Sequence, residues 1–173
     1  MYYFIAQMVG FIGVVLIILS YQCKSSKKLL GMQMGANAVY ILHFFMLGAF
    51  SGSMNLAISF FRNFTLFNSN KKWAQHKLWM WFYITLHIVV TLLTWQDMFS
   101  ILPCIGVVAM TFAMWTKNGK KIRLANLFVN SPAWLIYDIY AVSYSGIVCE
   151  VFALISVLTS FKRYGVKELN CEN

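Results

Sequence analysis

The sequence predicts an all-α membrane protein of seven transmembrane helices, built as two parallel three-helix repeats joined by a linker helix (3+1+3), N-terminus outside and C-terminus cytoplasmic. Three observations carry this. The 173-residue chain is 60% hydrophobic and 11% charged, with mean hydropathy +0.67, whereas a soluble domain carries about 25% charged residues. Its apolar runs have the length of about 20 residues that crosses a bilayer. Its lysines and arginines, Arg62 apart, collect in alternate connections. A chain of this size filled by seven helices leaves almost nothing for a soluble domain, so function belongs in the bilayer or at its surface.

The first run covers 2 to 20. "MYYFIAQMVG" has no basic region before it and no small-residue cleavage pattern after it, so it reads as a retained helix rather than a signal peptide. The second covers 29 to 49. The third, 52 to 68, is the weakest because Arg62 and Asn63 lie inside it, yet a surface loop there would expose "MNLAISFF". The fourth, 77 to 95, has Trp79 and Trp81 near one end and Trp95 at the other, as aromatic belts at two interfaces would require. The fifth covers 99 to 116, the sixth 122 to 142 and the seventh 145 to 162.

Orientation follows from the cations. Lys24, Lys27 and Lys28 follow span one; Lys71, Lys72 and Lys77 follow span three; Lys117, Lys120, Lys121 and Arg123 follow span five; Lys162, Arg163 and Lys167 follow span seven. The connections "AFSGS", "TWQDMFS" and "VSYSG" hold none, which places the N-terminus outside. The same asymmetry explains the net charge of +9 without nucleic acid, for which no aromatic and basic recognition motif is present. Of the four cysteines, Cys23 and Cys171 fall on the reducing side and Cys104 and Cys149 within spans. None has paired spacing, so no disulfide framework is expected.

Sliding the sequence by about 94 residues lays "KLLGMQMGANAVYILHFFMLGAFSG" over "IRLANLFVNSPAWLIYDIYAVSYSG". Lys27 meets Lys121, Leu30 meets Leu124, and Ser51-Gly52 meets Ser145-Gly146; Gly10 to Gly13 falls near Pro103 to Gly106. One transmembrane domain results, with a first unit at 1–70, a linker helix at 71–97, a second unit at 98–165 and a cytoplasmic tail at 166–173. A single linker returns the second unit to the orientation of the first and places a shared cavity between them.

That layout looks like SWEET and PQ-loop (MtN3-like) transporters. The runs "SYQCKSSKKLLGMQMGANAVYILHFFMLGAFSGSMNLAISFFRN" and "SPAWLIYDIYAVSYSGIVCE" resemble the bacterial inner-membrane YgjV family over nearly the whole chain. The YgjV resemblance implies an inner-membrane location and no established activity; the more distant SWEET-like one implies transport of small solutes such as sugars by alternating access. The proline expected in the first helix of each unit is present as Pro103 in span five, while span one offers Gly10 and Gly13 as softer points.

Helical phase selects the candidate site. Asn126, Asn130, Trp134 and Asp138 recur at i+4 in span six and form one stripe, which a carboxylate keeps away from lipid. Related stripes are Gln33, Asn37 and Tyr40; Asn55, Ser59 and Arg62; and Ser156 with Ser160. Asn37, Ser59, Asn130 and Trp134 are the expected solute-binding residues, the indole offering a stacking face and the amides taking hydroxyls. The competing reading is helix–helix glue, with Trp134 simply packed.

Asn55, Asp138 and Glu150 lie about 6 to 8 Å below the outer surface and His43 about 10 Å, an outer polar layer that with Tyr137 and Tyr140 can form a gate or a static buried pair. Gly10, Gly13, Pro103 and Pro132 are the expected hinges, Pro132 kinking span six. Arg62 is close enough to the cytoplasmic face to snorkel but also able to reach inward. His76 reads as a surface residue, and haem ligation by His43 and His87 has no further support. No H-E-x-x-H, G-x-S-x-G, P-loop or metal-ligand cluster is present, so an enzyme, a metal and a cofactor are not expected. The expected partners are the lipid bilayer and a small-molecule solute, with a homo-oligomer left open; a non-transporting receptor or structural protein is the alternative.

Overall fold

The computed structural model describes residues 2–21 and 26–164. The expectations placed on Lys24, Cys23, Lys167, Cys171 and the 166–173 tail fall outside these residues, as do those on the side chains of Lys27, Ser160 and Arg163.

All regular structure among the described residues is helical: α1 (Tyr2–Tyr21), α2 (Ser26–Met46), α3 (Phe50–Phe67), α4 (Leu78–Leu93), α5 (Ile101–Trp115), α6 (Gly119–Ala125), α7 (Ser131–Tyr140) and α8 (Tyr144–Tyr164). A π-helical turn, Asn126–Asn130, joins α6 to α7, so these form one continuous body and the count of long helical bodies is seven. Short 3₁₀ turns, Lys72–Gln75 and Met98–Ser100, precede α4 and α5. The expected boundaries differ from these by three residues at most.

Among the described residues, length and composition alone make two segments long and apolar enough to cross a membrane, Tyr2–Ser20 and Met98–Trp115. The other helices carry polar residues, and burial shows where those go. The largest fully buried side chains include His43, His87, Asn55, Thr111, Asp138, Ser51, Ser131 and Ser143. The outside carries Met98 at 81% exposure, Leu93 at 79% and Phe128 at 70%. This inversion of the soluble pattern suits a protein whose solvent is hydrocarbon, where polar groups must find partners inside.

The turns α2–α3 and α7–α8 share one hydrogen-bond pattern. Leu47 N–H donates to His43 O at 3.0 Å, Ala49 N–H to Phe44 O at 2.9 Å and Ser53 N–H to Ala49 O at 3.1 Å. Ala141 N–H donates to Tyr137 O at 2.8 Å, Ser143 N–H to Asp138 O at 2.8 Å and Ile147 N–H to Ser143 O at 3.0 Å. Each turn pivots on a left-handed residue, Gly48 at φ 74 and Val142 at φ 52. Glycine takes this conformation freely, whereas a β-branched side chain is strained in it. Val142 is held there by its carbonyl, which accepts from Tyr3 Oη at 2.7 Å and Gln7 Nε2 at 2.8 Å.

Helix α1 packs on α2, α2 on α3, and the α6–α7 body on both α5 and α8. The two groups touch through α1 against α8 and α3 against α5, and α4 lies against α3 and α5.

The four expected hinge residues sit in different surroundings. Helix α1 is unbroken through Gly10 and Gly13, which provide clearance: a Cβ at Gly10 would strike Ser145 and lie 2.8 Å from His43 Nδ1, and one at Gly13 would lie 2.8 Å from the Tyr40 ring. Pro103 sits in the first turn of α5, where a proline's missing N–H has no intrahelical acceptor to lose, and it does not break the helix. Pro132 does mark a distortion. Its ring would crowd the carbonyl four residues earlier, and the preceding turn widens so that Ser131 N–H reaches Asn126 O.

Candidate functional site

At the end of the body holding the α2–α3 and α7–α8 turns, α1, α2, α7 and α8 meet in a hydrogen-bonded layer. His43 Nδ1 lies 2.7 Å from Ala6 O; since a carbonyl only accepts, this nitrogen carries the proton. Nε2 then accepts hydroxyl protons from Ser143 at 2.8 Å and Ser145 at 3.2 Å. Ser143 Oγ also accepts the Gly146 N–H at 3.1 Å and lies beside the Asp138 carboxyl group. Asp138 fits because position 146 is glycine: a Cβ there would overlap both carboxyl oxygens. Asp138 therefore faces His43 through Ser143, with Glu150 in its field one turn further along α8.

The helix starts at this end are closed across the structure. Gly52 N–H in the first turn of α3 donates to Tyr137 Oη of α7 at 3.0 Å, and Tyr144 N–H opening α8 donates to Gln7 Oε1 of α1 at 3.1 Å. Neither N-terminus relies on a local cap alone, so orphan N–H groups tie the two groups of helices together. Tyr140 donates to the Asp97 carboxylate and stacks on Phe99 with centroids 4.3 Å apart. Asp97 itself caps the 3₁₀ turn, accepting from Phe99 N–H at 2.8 Å and Ser100 N–H at 3.2 Å.

Beneath this layer the centre is aromatic. Trp134 packs on Phe44, centroids 5.7 Å apart, and edge-on to Tyr137 at 5.9 Å; Val14, Tyr40, Ala49, Val107 and Cys149 complete the cluster. The indole is thus a packed core residue in this conformation rather than an open stacking face. Trp134 and Asn130 do converge, both over Gly106 of α5, where a Cβ would lie 3.0 Å from Asn130 Oδ1 and 3.1 Å from the indole. Asn130 Nδ2 also donates to Asn126 Oδ1 at 2.8 Å.

The remaining expected residues separate. Asn37 is half-buried on α2. Ser59 is buried on α3, its hydroxyl unpartnered among the described residues. Asn55, expected in the outer layer with Asp138, belongs to the α3–α4 seam: its Nδ2 donates to Ser51 O and Thr91 Oγ1, both at 2.9 Å, and its Oδ1 accepts from His87 Nδ1 at 2.9 Å. Helix α4 thus supplies the partners that helical phase on α3 could not reveal. Arg62 turns inward, donating to Thr111 Oγ1 at 2.9 Å and Val107 O at 3.3 Å, rather than snorkelling. His43 and His87 lie in separate networks. Glu150 is half-buried beside Ser131, and Tyr40 Oη, Ser131 Oγ, Asp138 Oδ1 and Glu150 Oε2 find no hydrogen-bond partner among the described residues.

An apolar groove of about 510 Å³ lies between α4, α5 and α6, bounded by Trp81, Ile84, Val108, Phe112, Thr116 and Lys121. None of Asn37, Ser59, Asn130 or Trp134 lines it, so it is not the shared cavity the repeat suggested.

The family model Imp-YgjV, described as a bacterial inner membrane protein, matches residues 4–168. The chain belongs to the Imp-YgjV family. No curated protein and no solved structure matches it. For an Imp-YgjV protein the apolar exterior has lipid as its natural solvent, and the buried His43, Asn55 and Asp138 networks are the partners that lipid cannot supply. Sequence reasoning passed over Gln7, Ser143, Ser145 and Thr111 as site residues; the alignment of Ser51-Gly52 with Ser145-Gly146 was the available signal for Ser145.

Proposed function

We propose that this Imp-YgjV protein is a seven-span carrier of the bacterial inner membrane that moves a small polar solute, sugar-like or another polar metabolite, by alternating access and without an enzymatic step. The observation that carries this reading is a pair of matching contacts: Gly13 of α1 makes room for Tyr40 of α2, and Gly106 of α5 makes room for Trp134 of α7. The two glycines and the two rings are related by the repeat offset to within a residue. The duplicated turns around Gly48 and Val142 support the same division into parallel units, as does the reciprocal packing of α1 on α8 and α3 on α5. Parallel repeats with buried polar groups at their interface are an architecture of secondary carriers, and the likeness to SWEET and PQ-loop proteins rests on that layout. The lysine asymmetry supports an orientation with the N-terminus outside.

In this reading the conformation is occluded, with the His43–Ser143–Asp138 layer closing the outer end and Tyr40, Phe44, Trp134 and Tyr137 filling the centre. The filled centre also favours a second reading, a non-transporting receptor or structural protein on the same fold.

Uptake into proteoliposomes separates the two. A carrier is expected to accumulate at least one labelled solute from a panel of sugars, polyols and small acids above protein-free vesicles, and Gly106→Val, which drives a side chain into Asn130 and Trp134, is expected to reduce the rate per folded molecule at least tenfold. No uptake across the panel by protein that remains folded would favour the non-transporting reading.

A further inference from the structure

Helix α3 carries a guanidinium into the interior with no acid to meet it among the described residues. Arg62 is 6% exposed. It donates to Thr111 Oγ1 at 2.9 Å, to Val107 O at 3.3 Å, and to Asn63 Oδ1 at 3.3 Å from Nε and 3.2 Å from Nη2. Every acceptor is neutral. Three of the four bonds are long against the usual N–H···O distance of about 2.9–3.0 Å. The described acids lie elsewhere: Asp97 accepts from Tyr140, Asp138 is packed against Gly146, and Glu150 is on α8, and none of them bonds to Arg62. A guanidinium cannot shed its charge by deprotonating, and dipoles alone offset its desolvation poorly.

Two further buried polar atoms lack partners in the same neighbourhood. Ser59 is one helical turn from Arg62 on α3, 2% exposed, with a free Oγ. His87 on α4 is fully buried and meets the same face of α3 one turn before Ser59, at Asn55, whose Oδ1 accepts from Nδ1 at 2.9 Å and so leaves the Nε2 lone pair without a partner among the described residues. The set thus comprises a fixed cation, a hydroxyl donor and an imidazole acceptor. We infer that Arg62, Ser59 and His87 form the binding site for a small 2-hydroxycarboxylate. Its carboxylate takes the guanidinium and the Ser59 hydroxyl, exchanging the long bonds to Val107 and Asn63 for charge-assisted ones. Its hydroxyl donates to His87 Nε2. An ammonium could donate there too, but Arg62 repels it.

This deepens the carrier reading by naming its solute class, and rests on that reading for how the solute reaches a buried site. Binding itself is measurable without transport. Protein in lipid nanodiscs is melted with sodium lactate, sodium propionate, methyl lactate or sodium chloride at matched ionic strength. Lactate should raise the apparent Tm by about 2–4 °C, propionate by less, and methyl lactate and chloride not at all.

Arg62→Met should lose the lactate shift yet melt, without ligand, no lower than the wild type, because an uncompensated charge has gone. Arg62→Lys should retain part of the shift. The inference is overturned if no carboxylate stabilises the wild type, if Arg62→Met responds as the wild type does, or if Arg62→Met melts lower while the wild type ignores lactate. Lactate stabilisation without lactate uptake would retain the site and end the carrier reading. Uptake of a neutral sugar with no carboxylate shift would retain the carrier and end this inference.

Discussion

Gly146→Ala is expected to lower stability by about 1–3 kcal/mol, the usual cost of forcing atoms into a packed interior. The added methyl would occupy the space of the Asp138 carboxyl group, so α7 and α8 must part or the acid must leave its place beside Ser143. Moving the acid outward would bring it toward lipid, where an aspartate at a helix centre costs about 2.5–3.5 kcal/mol on insertion scales. Removing the acid should therefore relieve the strain. Thermal denaturation of Gly146→Ala and of Gly146→Ala with Asp138→Ala checks this: the double variant should be the more stable of the two. Independent, additive losses would mean that the carboxyl group is not what position 146 accommodates.

His43→Leu is the second large effect. The imidazole joins α1 through Ala6 O to the α7–α8 turn through Ser143 and Ser145, and leucine matches its bulk without any of these bonds. Each buried polar group left without a partner costs about 1–3 kcal/mol, though the two serines can partly turn to backbone acceptors. A loss in that range is expected, with the N-terminal ends of α1 and α8 loosening first. Hydrogen exchange read by mass spectrometry should show faster exchange at residues 3–10 and 143–150 than at α4. Uniform acceleration along the chain would assign His43 to global packing rather than to this closure.

The helical bodies were legible in the sequence because bilayer length sets the length of apolar runs, and the Ser-Gly pairs at 51–52 and 145–146 suggested the offset at which the two matching turns lie. The stripe Asn126, Asn130, Trp134 and Asp138 was also legible, since i+4 spacing places residues on one face whatever they touch. What lies opposite was not. Gly10 and Gly13 read as soft points because a sequence displays glycine's freedom, whereas their role comes from Ser145, His43 and Tyr40 filling the space a Cβ would need. Pro103 read as a hinge because the transporter resemblance implies a proline in the first helix of each unit, whereas here a 3₁₀ turn precedes α5 and leaves Pro103 in its first turn. Asn55 and Arg62 were placed by helical phase and depth on α3, while partners on α4 and α5, His87, Thr91 and Thr111, determine where they point. The shared turn was hidden because Gly48 and Val142 adopt one conformation with very different side chains.

Topology tests the central claim, two parallel three-helix units joined by one linker helix in the bilayer, most directly. Reporter tags are placed singly at the N-terminus, in the connection at Asp97 and at the C-terminus, and their access to a membrane-impermeant reagent is measured in intact and permeabilised spheroplasts. The first two should react from outside the inner membrane and the third only after permeabilisation. Both termini reacting on the same side would contradict the seven-span arrangement and with it the parallel repeat.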